Sequence, residues 1–411
     1  MTLPHSPGFD DTRAFFREGY GYIGNHCRTL GSKAFRARIM LQDVVCMMGE
    51  DAARVFYDGS HFTRQGAMPS GTLYLLQDKG SVQSLDGAFH RHRKAFFLDL
   101  LDGDATAQIG SMFDERWQAA LSQWGQQGNI VLHDAMAKML CDTICAWAGV
   151  PAVGPVLTQR TREMTAMIDG AGTVGPRSWR ALLLRRRAER WARNVLAQAR
   201  AEPRDPRPVS RIAHFRDADG RLLDLDTAAV ELLNLIRPTV AVARFITFAA
   251  LALHQHADAA AWLMKAHDTR ISAFVDELRR YYPFFPVIGG RVRSPFRWHD
   301  HDFRLGDWVL LGLYATNHDA RIWNDPERFR PDRFMQKSSN GFDLVPQGAG
   351  AHALDHRCPG EGVTGALVER AVLALQALEY EVPEQRVDVP LNLFPTLPKS
   401  GMIIANPRLR A

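Results

Sequence analysis

The chain has 411 residues, 46% hydrophobic and 23% charged, enough for a full core and unlike a disordered or fibrous chain. Its five cysteines, Cys27, Cys46, Cys141, Cys145 and Cys358, are an odd and sparse set, which excludes a disulfide scaffold and points to a reducing compartment. The net charge of +5 rests on arginine concentrated between Arg177 and Arg211. With no interleaved aromatic stacking pattern and no known binding module, that run reads as a solvated basic helix and loop rather than a nucleic-acid face.

The first residues, Met1 to Pro7, are polar and proline-broken and hold no apolar signal core. No run of about 20 uncharged apolar residues is present, so no membrane span is expected. Residues 34–42 alternate enough for a strand, with Val44 to Met48 as its hairpin partner. Asp51 to Tyr57 follows as a short helix. Gly80 and Gly87 then break the backbone, and a helix starts near Gly87. His90, Arg93 and Lys94 lie one turn apart on a face of that helix. Such a face can hold a dianion; without one it is an ordinary basic turn.

Residues 107–200 read as successive amphipathic helices, broken at Gly125, Gly128 and Gly149–Pro151, with a flexible joint from Gly170 to Gly175. Cys141 and Cys145 share a helix face, but no histidine or cysteine nearby completes a zinc site, so they read as core packing. Asp224 to His256 forms one long helix. Leu232, Leu233, Leu235, Ile236, Val240, Val242, Phe245, Ile246 and Phe248 make it apolar around most of its circumference, the pattern of a helix buried through the protein centre. Pro238 cannot donate to the carbonyl of Asn234 and its ring pushes that carbonyl away, which predicts a kink there. Arg237 stands at the kink. Buried, it needs an anion; the plain alternative is a surface arginine on the wet side. Arg244, seven residues on, has no evident part.

Glu277 and Arg280 are one turn apart and can pair, and Pro283 and Pro286 end their helix. Trp308 to Tyr314 reads as a strand, and Leu393 to Gly401 as a turn-rich hairpin. Between them a glycine-spaced loop, Val345 to Glu361, runs into a single cysteine, Cys358. Pro359 suits a first helical position, and an apolar-periodic run from Val363 to Leu378 follows. Cys358 is therefore expected at a helix N-terminus, where unpaired amides and the dipole favour a thiolate. A lone thiolate under a loop of small residues can ligate a flat metal macrocycle, and a bulkier residue at Gly360 would hold that ring away. The plain alternative is a buried core cysteine.

The loop ending His356-Arg357-Cys358-Pro359-Gly360-Glu361, the Glu277–Arg280 pair, Phe329 to Phe334 and Arg237-Pro238 occur in the order that resembles the cytochrome P-450 family, whose haem-thiolate ligation is a general mark of the class. The long cysteine loop and Arg237-Pro238 resemble its bacterial branch of fatty-acid peroxygenases. The resemblance implies a mainly α fold: a triangular helical prism with a small N-terminal β-sheet region and a long central helix over haem. It implies one domain over residues 1–411, mostly β-rich in 15–75 and helical and haem-binding in 85–411. It implies haem b with its iron on Cys358, cofactor contacts from His90, Lys94, Arg291, His356 and Gly360, and a structural triad of Glu277, Arg280 and Arg333 bracing the cysteine loop.

The same resemblance gives Arg237, Pro238 and Gln83 catalytic parts, with substrate held by Arg237, Gln83 and Phe285. Ordinary relatives carry an acid and an alcohol where Arg237-Pro238 stands, so a fatty-acid carboxylate gripped by Arg237 is expected to supply the missing acid–base group. Olefin-forming members carry histidine where Gln83 stands, so Gln83 leans towards hydroxylation. Gln77 and Asp78 put unexpected polar groups near that pocket. The implied reaction is hydroxylation of a fatty acid at the α or β carbon with hydrogen peroxide and no obligatory reductase. The implied setting is the bacterial cytoplasm, without a membrane anchor or nucleic-acid partner. A monooxygenase fed by redox partners, a fatty-acid decarboxylase and a haem-free basic binding protein are the alternatives. Ala349, Ala351 and Leu344 depart from the family's loop, where Gly, Asp and an aromatic are usual; this bears on hydrogen bonding to the sulfur and on the haem potential.

Overall fold

The computed structural model of the protein describes residues 3–77, 80–264 and 268–410; Asp78 lies outside them. Two short helices, α1 (Thr12–Glu18) and α2 (Tyr22–Thr29), precede the expected hairpin of β1 (Ala34–Ile39) and β2 (Gln42–Met47). Its two-residue turn holds Met40 and Leu41 at φ 54° and 60°, the left-handed pair that the twist of a hairpin requires and that Asn-Gly usually fills. Here acceptors from outside the turn hold it: Thr12 Oγ1 takes the Met40 amide at 2.5 Å and Asp10 that of Leu41 at 2.7 Å. Then come α3 (Glu50–Tyr57), β3 (Phe62–Thr63) and α4 (Ser70–Leu76). Residues 15–75 thus hold helices alongside their three strands and are not a separate β part. The sheet they start is completed by β5 (Val287–Val292) and β8 (Trp308–Gly312), in the order β1-β2-β8-β5-β3. β8 lies parallel to β2, with Val44 opposite Trp308.

The helical body comprises α5 (Gly87–Leu100), α6 (Gly103–Gln127), β4 (Asn129–Val131), α7 (Leu132–Ala148), α8 (Gly154–Gly170), α9 (Pro176–Ala201), α10 (Pro208–Ala213), α11 (Leu225–Ala241), α12 (Ala243–Gln255), α13 (Ala257–Met264) and α14 (Asp268–Tyr281). After β5 a small hairpin, β6 (Phe296–Trp298) and β7 (His301–Phe303), precedes β8. Then follow α15 (Leu313–Asn317), α16 (Glu361–Gln376), β9 (Leu378–Glu381) and β10 (Ile403–Leu409), β10 pairing with both β4 and β9. The helix breaks at Gly128 and Gly149 fall where the residue pattern puts them; Gly125 sits inside α6. Cys141 and Cys145 are buried on α7, and no metal-holding cluster of His, Cys, Asp and Glu exists among the described residues.

α11 and α12 are the long central helix. Together Leu225–Gln255 are apolar and long enough to cross a membrane, but the apolar 18-residue window within them is 89% buried inside the protein. The run has one interruption, one turn beyond the predicted kink. The Val242 amide, whose helical acceptor would be the carbonyl of Pro238, bonds to Thr239 at 3.2 Å instead. The proline's disturbance is therefore felt on the carbonyl side of the ring as well as at Asn234. From Ala228 to Ala252 every residue is buried except Pro238, so the helix opens onto space only at its kink.

Candidate functional site

α16 starts at Glu361 with Gly360 as its cap, so Pro359 precedes the helix and is not its first residue. Cys358 lies two residues before the cap. Its amide donates to the Gln347 carbonyl at 3.1 Å, and its sulfur accepts the Gly360 N–H. The expected thiolate does not follow from this placement. Burial pushes the Cys358 thiol up, against the smaller pull of the Gly360 N–H, Lys94 and Arg279. The helix end and the nearby cations pull towards the thiolate and burial opposes them, and a metal ion bonded to the sulfur would favour the thiolate. A Cβ on Gly360 would lie 4.0 Å from that sulfur and 3.7 Å from Leu101, so a side chain there would take the space beside the sulfur. Gly348 and Gly350, at φ 96° and 91°, shape the loop above it in a conformation suited to glycine.

Beside the sulfur the structure crowds four bases. His90 and His356 stack at 3.8 Å. Lys94, 1% exposed, donates to the carbonyls of Asp355 and Arg357, the latter at 2.7 Å. Arg64, buried against Phe56 and Tyr57, is near enough to repel both histidines. Burial, then Lys94 and Arg64, holds His90 down at about 4. Burial lowers Lys94 to about 8 despite the nearby Cys358 and Asp355. His356 is lowered well below its ordinary range by burial, Arg64, His90 and Lys94. A dianion placed among these groups would relieve their mutual repulsion and restore their protons. One sulfur with an N–H on it, next to four crowded bases, suits a porphyrin bearing two carboxylates.

Arg291 is not brought into this cluster. It lies within β5, not before its strand, and its donors go to the Gly66 and Gly306 carbonyls and Gln42, with Trp308 beneath the guanidinium. The pleat aims it at the loop around Gly66 and leaves Arg64 to face the histidines. No local motif marks Arg64, which is why residue patterns miss it.

Across the site Arg237 is buried, 4% exposed, and the surface alternative falls. Its guanidinium donates to the carbonyls of Leu75, at 3.2 Å, and Leu76, which end α4, and to Asn234 Oδ1 at 3.0 Å. Asn234 in turn donates to Gln83 Oε1 at 3.2 Å and to Glu231 Oε2 at 3.0 Å. Glu231, fully buried, accepts the Val82 amide at 2.8 Å and Arg93 at 2.9 Å. Burial raises its carboxyl, with Arg93 pulling against. Glu231, Asn234 and Arg237 thus form a polar ladder at helical spacing. It ties the segment around Gln83 to the helix in the two turns before the kink and fixes the guanidinium's direction. Gln83 is half-buried on this ladder. Phe285 is 39% exposed and packs edge-on against Phe284 at 4.7 Å.

The triad forms: Arg280 grips Glu277 at 2.7 and 2.8 Å and Arg333 reaches it at 3.0 Å. Its remaining donors brace the carbonyls of Asn317, Pro326 and Arg328 rather than the cysteine loop. The neighbour Arg279 holds the loop instead, through Gln347 at 3.1 Å and Glu361. Glu361 is held down at about 2 by Arg279 and Arg357 against its burial. Arg244 also gains an account. It ties α12 to the Thr396 carbonyl at 2.9 Å and to Asp169 at the end of α8, joining the strand-free connection between β9 and β10, which stands in place of the expected hairpin over Leu393 to Gly401, to the α8–α9 joint.

Residues 262–404 match the family model for cytochrome P-450. A solved variant of cytochrome P-450SP alpha (CYP152B1) is 38% identical and superposes at a TM-score of 0.95, covering 98% of this chain and 100% of that one. Cytochrome P-450EX alpha (CYP152N1) with myristic acid is 34% identical, with a TM-score of 0.96 over 100% of both chains. A variant of cytochrome P-450 OleT in complex with arachidonic acid is 29% identical, with a TM-score of 0.96 over 100% of this chain and 99% of that one. Among curated proteins, cytochrome P-450 71A8 of Mentha piperita is 30% identical over 121 residues, 28% of this chain. The alignment spans 23% of that protein and 18% of the sarpagan bridge enzyme of Gelsemium sempervirens, 32% identical over 95 residues.

Proposed function

The chain belongs to the cytochrome P-450 family, among structures of its CYP152 peroxygenases, and from that premise we propose that it hydroxylates long-chain fatty acids at the α or β carbon with hydrogen peroxide. Cys358 ligates the iron of haem b, and Arg64, His90, Lys94 and His356 receive its carboxylates. Haem held there supplies the oxygen-transfer chemistry that peroxide drives.

The observation that carries the reading is a buried guanidinium, Arg237, at the kink of the central helix, where Pro238 is the one residue between Ala228 and Ala252 that is not buried. Arg237 binds the fatty-acid carboxylate in a bidentate pair. The carboxylate so held moves a proton between the two oxygens of hydrogen peroxide. Asn234 keeps the guanidinium aimed, and Gln83 faces the same space from the opposite segment. Pro238 and Phe285 line it with apolar surface and exclude water. With the acid head pinned, only the first carbons of the chain reach the reacting centre, so positioning sets the regiochemistry. No reductase is required, and the enzyme works in the bacterial cytoplasm.

Incubation of the purified protein with a saturated fatty acid and hydrogen peroxide, followed by product mapping, tests this. The expected products are 2- or 3-hydroxy acids. Terminal alkenes as the main product would make it a decarboxylase, and turnover only with a reductase would make it a conventional monooxygenase. Arg237→Ala is expected to lower kcat/KM for the fatty acid by at least about a hundredfold, since a bidentate charged pair contributes about 3 kcal/mol. Undiminished turnover by that variant removes the carboxylate's role.

A further inference from the structure

The arginine run on α9 is not evenly solvated. Ala181, Leu184, Arg185, Ala188 and Ala192 pack inward. On the opposite side Trp179 and Leu183, one turn apart, are 65% and 61% exposed, and Val174 in the preceding joint is 79% exposed. Arg186 and Arg190 continue their stripe, Arg180 flanks it and Arg177 stands in the first turn of the helix, and all four are exposed. Arg185, Arg187 and Arg193 are paired with Glu189, Glu163 and Asp226. The other four make no ion pair or hydrogen bond among the described residues. One helix face therefore shows Trp179, Leu183, Arg186 and Arg190 as a single stripe, flanked by Arg180, with Arg177 and Val174 at the end of the helix that it runs into.

We propose that the α8–α9 joint and the first half of α9 dock on an anionic lipid surface. Both halves of the pattern fit that partner. An indole and aliphatic tips enter the boundary between headgroups and acyl chains, and guanidinium groups bind the headgroup phosphates. Each basic group near such a surface adds favourable free energy that salt screens. An acidic protein or a nucleic acid would use the arginines, but one isolated tryptophan is not a row of stacking platforms. The helix lies on the surface and does not cross it, because its inward face is committed to the core. The inference stands on this face alone and does not depend on the peroxide chemistry.

The test is sedimentation of the haem-loaded protein with vesicles of phosphatidylcholine alone and of equimolar phosphatidylcholine and phosphatidylglycerol. Binding is expected to the anionic vesicles only, and to fall as salt is added. A variant with Arg177, Arg180, Arg186 and Arg190 all changed to Gln is expected to bind at least about a hundredfold more weakly. Trp179→Ala is expected to bind about tenfold more weakly, with the Soret absorbance of the haem-loaded protein unchanged, which shows the fold intact. Equal binding to both vesicle types, no binding to either, or undiminished binding by the four-arginine variant would each overturn the proposal. So would undiminished binding by Trp179→Ala, or tighter binding of the parent protein to a single-stranded oligonucleotide than to the anionic vesicles.

Discussion

Arg64, His90, Lys94 and His356 are packed together beside the cysteine loop, whereas Arg177, Arg180, Arg186 and Arg190 stand in solvent along α9. Both sets are basic, and both suit anions. In the first, burial and mutual repulsion lower His90 to about 4 and Lys94 to about 8, so the bases hold unrealised affinity that a dianion of the right shape releases. In the second, water and salt already satisfy the charges, and affinity comes from the number of contacts. Crowding and desolvation, more than the tally of cations, separate a selective anion site from a sticky surface.

The largest effect expected from that contrast is at Lys94. Lys94→Ala is expected to lower the affinity of the apo-protein for haem about tenfold to hundredfold in a titration followed by Soret absorbance, the range for losing one charge-assisted hydrogen bond. A loss no greater than that of a single α9 arginine in vesicle binding would break the comparison. Acid comes next. Folded His90 takes its proton only near pH 4, while the unfolded chain takes it near 6.5. Between those values the unfolded state binds more protons, so the stability of the apo-protein falls as pH drops from about 6.5 to about 4, with His356 acting in the same direction. Urea midpoints across that window check this, and bound haem is expected to flatten the slope by restoring the histidine protons. Arg186→Gln should weaken binding to anionic vesicles about fivefold, the share of one surface cation, and leave haem retention unchanged. Added salt is expected to have the smallest effect on haem binding while releasing the vesicles; equal sensitivity of the two would erase the distinction.

The cysteine loop was legible because its chemistry is local: one cysteine, spaced glycines and a helix start within seventeen residues. Its protonation was not, because helix dipole and burial oppose each other and sequence reveals only the first. The buried Arg237 could be inferred from the apolar run around it. Asn234 and Glu231, on the same helix, could not be assigned, because their partners Gln83 and Val82 lie about 150 residues earlier. The resemblance points to Arg291, but within β5 its donors go to Gly66, Gly306 and Gln42, and Arg64 stands beside the histidines. The hairpin of β1 and β2 is a short-range pairing and was foreseen. The parallel pairing of β2 with β8 joins residues some 260 apart and leaves no trace in either stretch. On α9 the arginine count masked Trp179 and Leu183, whose exposure only the packed helix discloses.

Lys94 binds the carbonyls of Asp355 and Arg357, partners 261 and 263 residues further along. The two sides of the proposed porphyrin site are therefore separated by most of the chain during synthesis. A ribosome must have made the stretch through α16 before they can meet, so the nascent polypeptide offers no finished cleft. The contacts of Lys94 consequently close late, after most of the chain has been made.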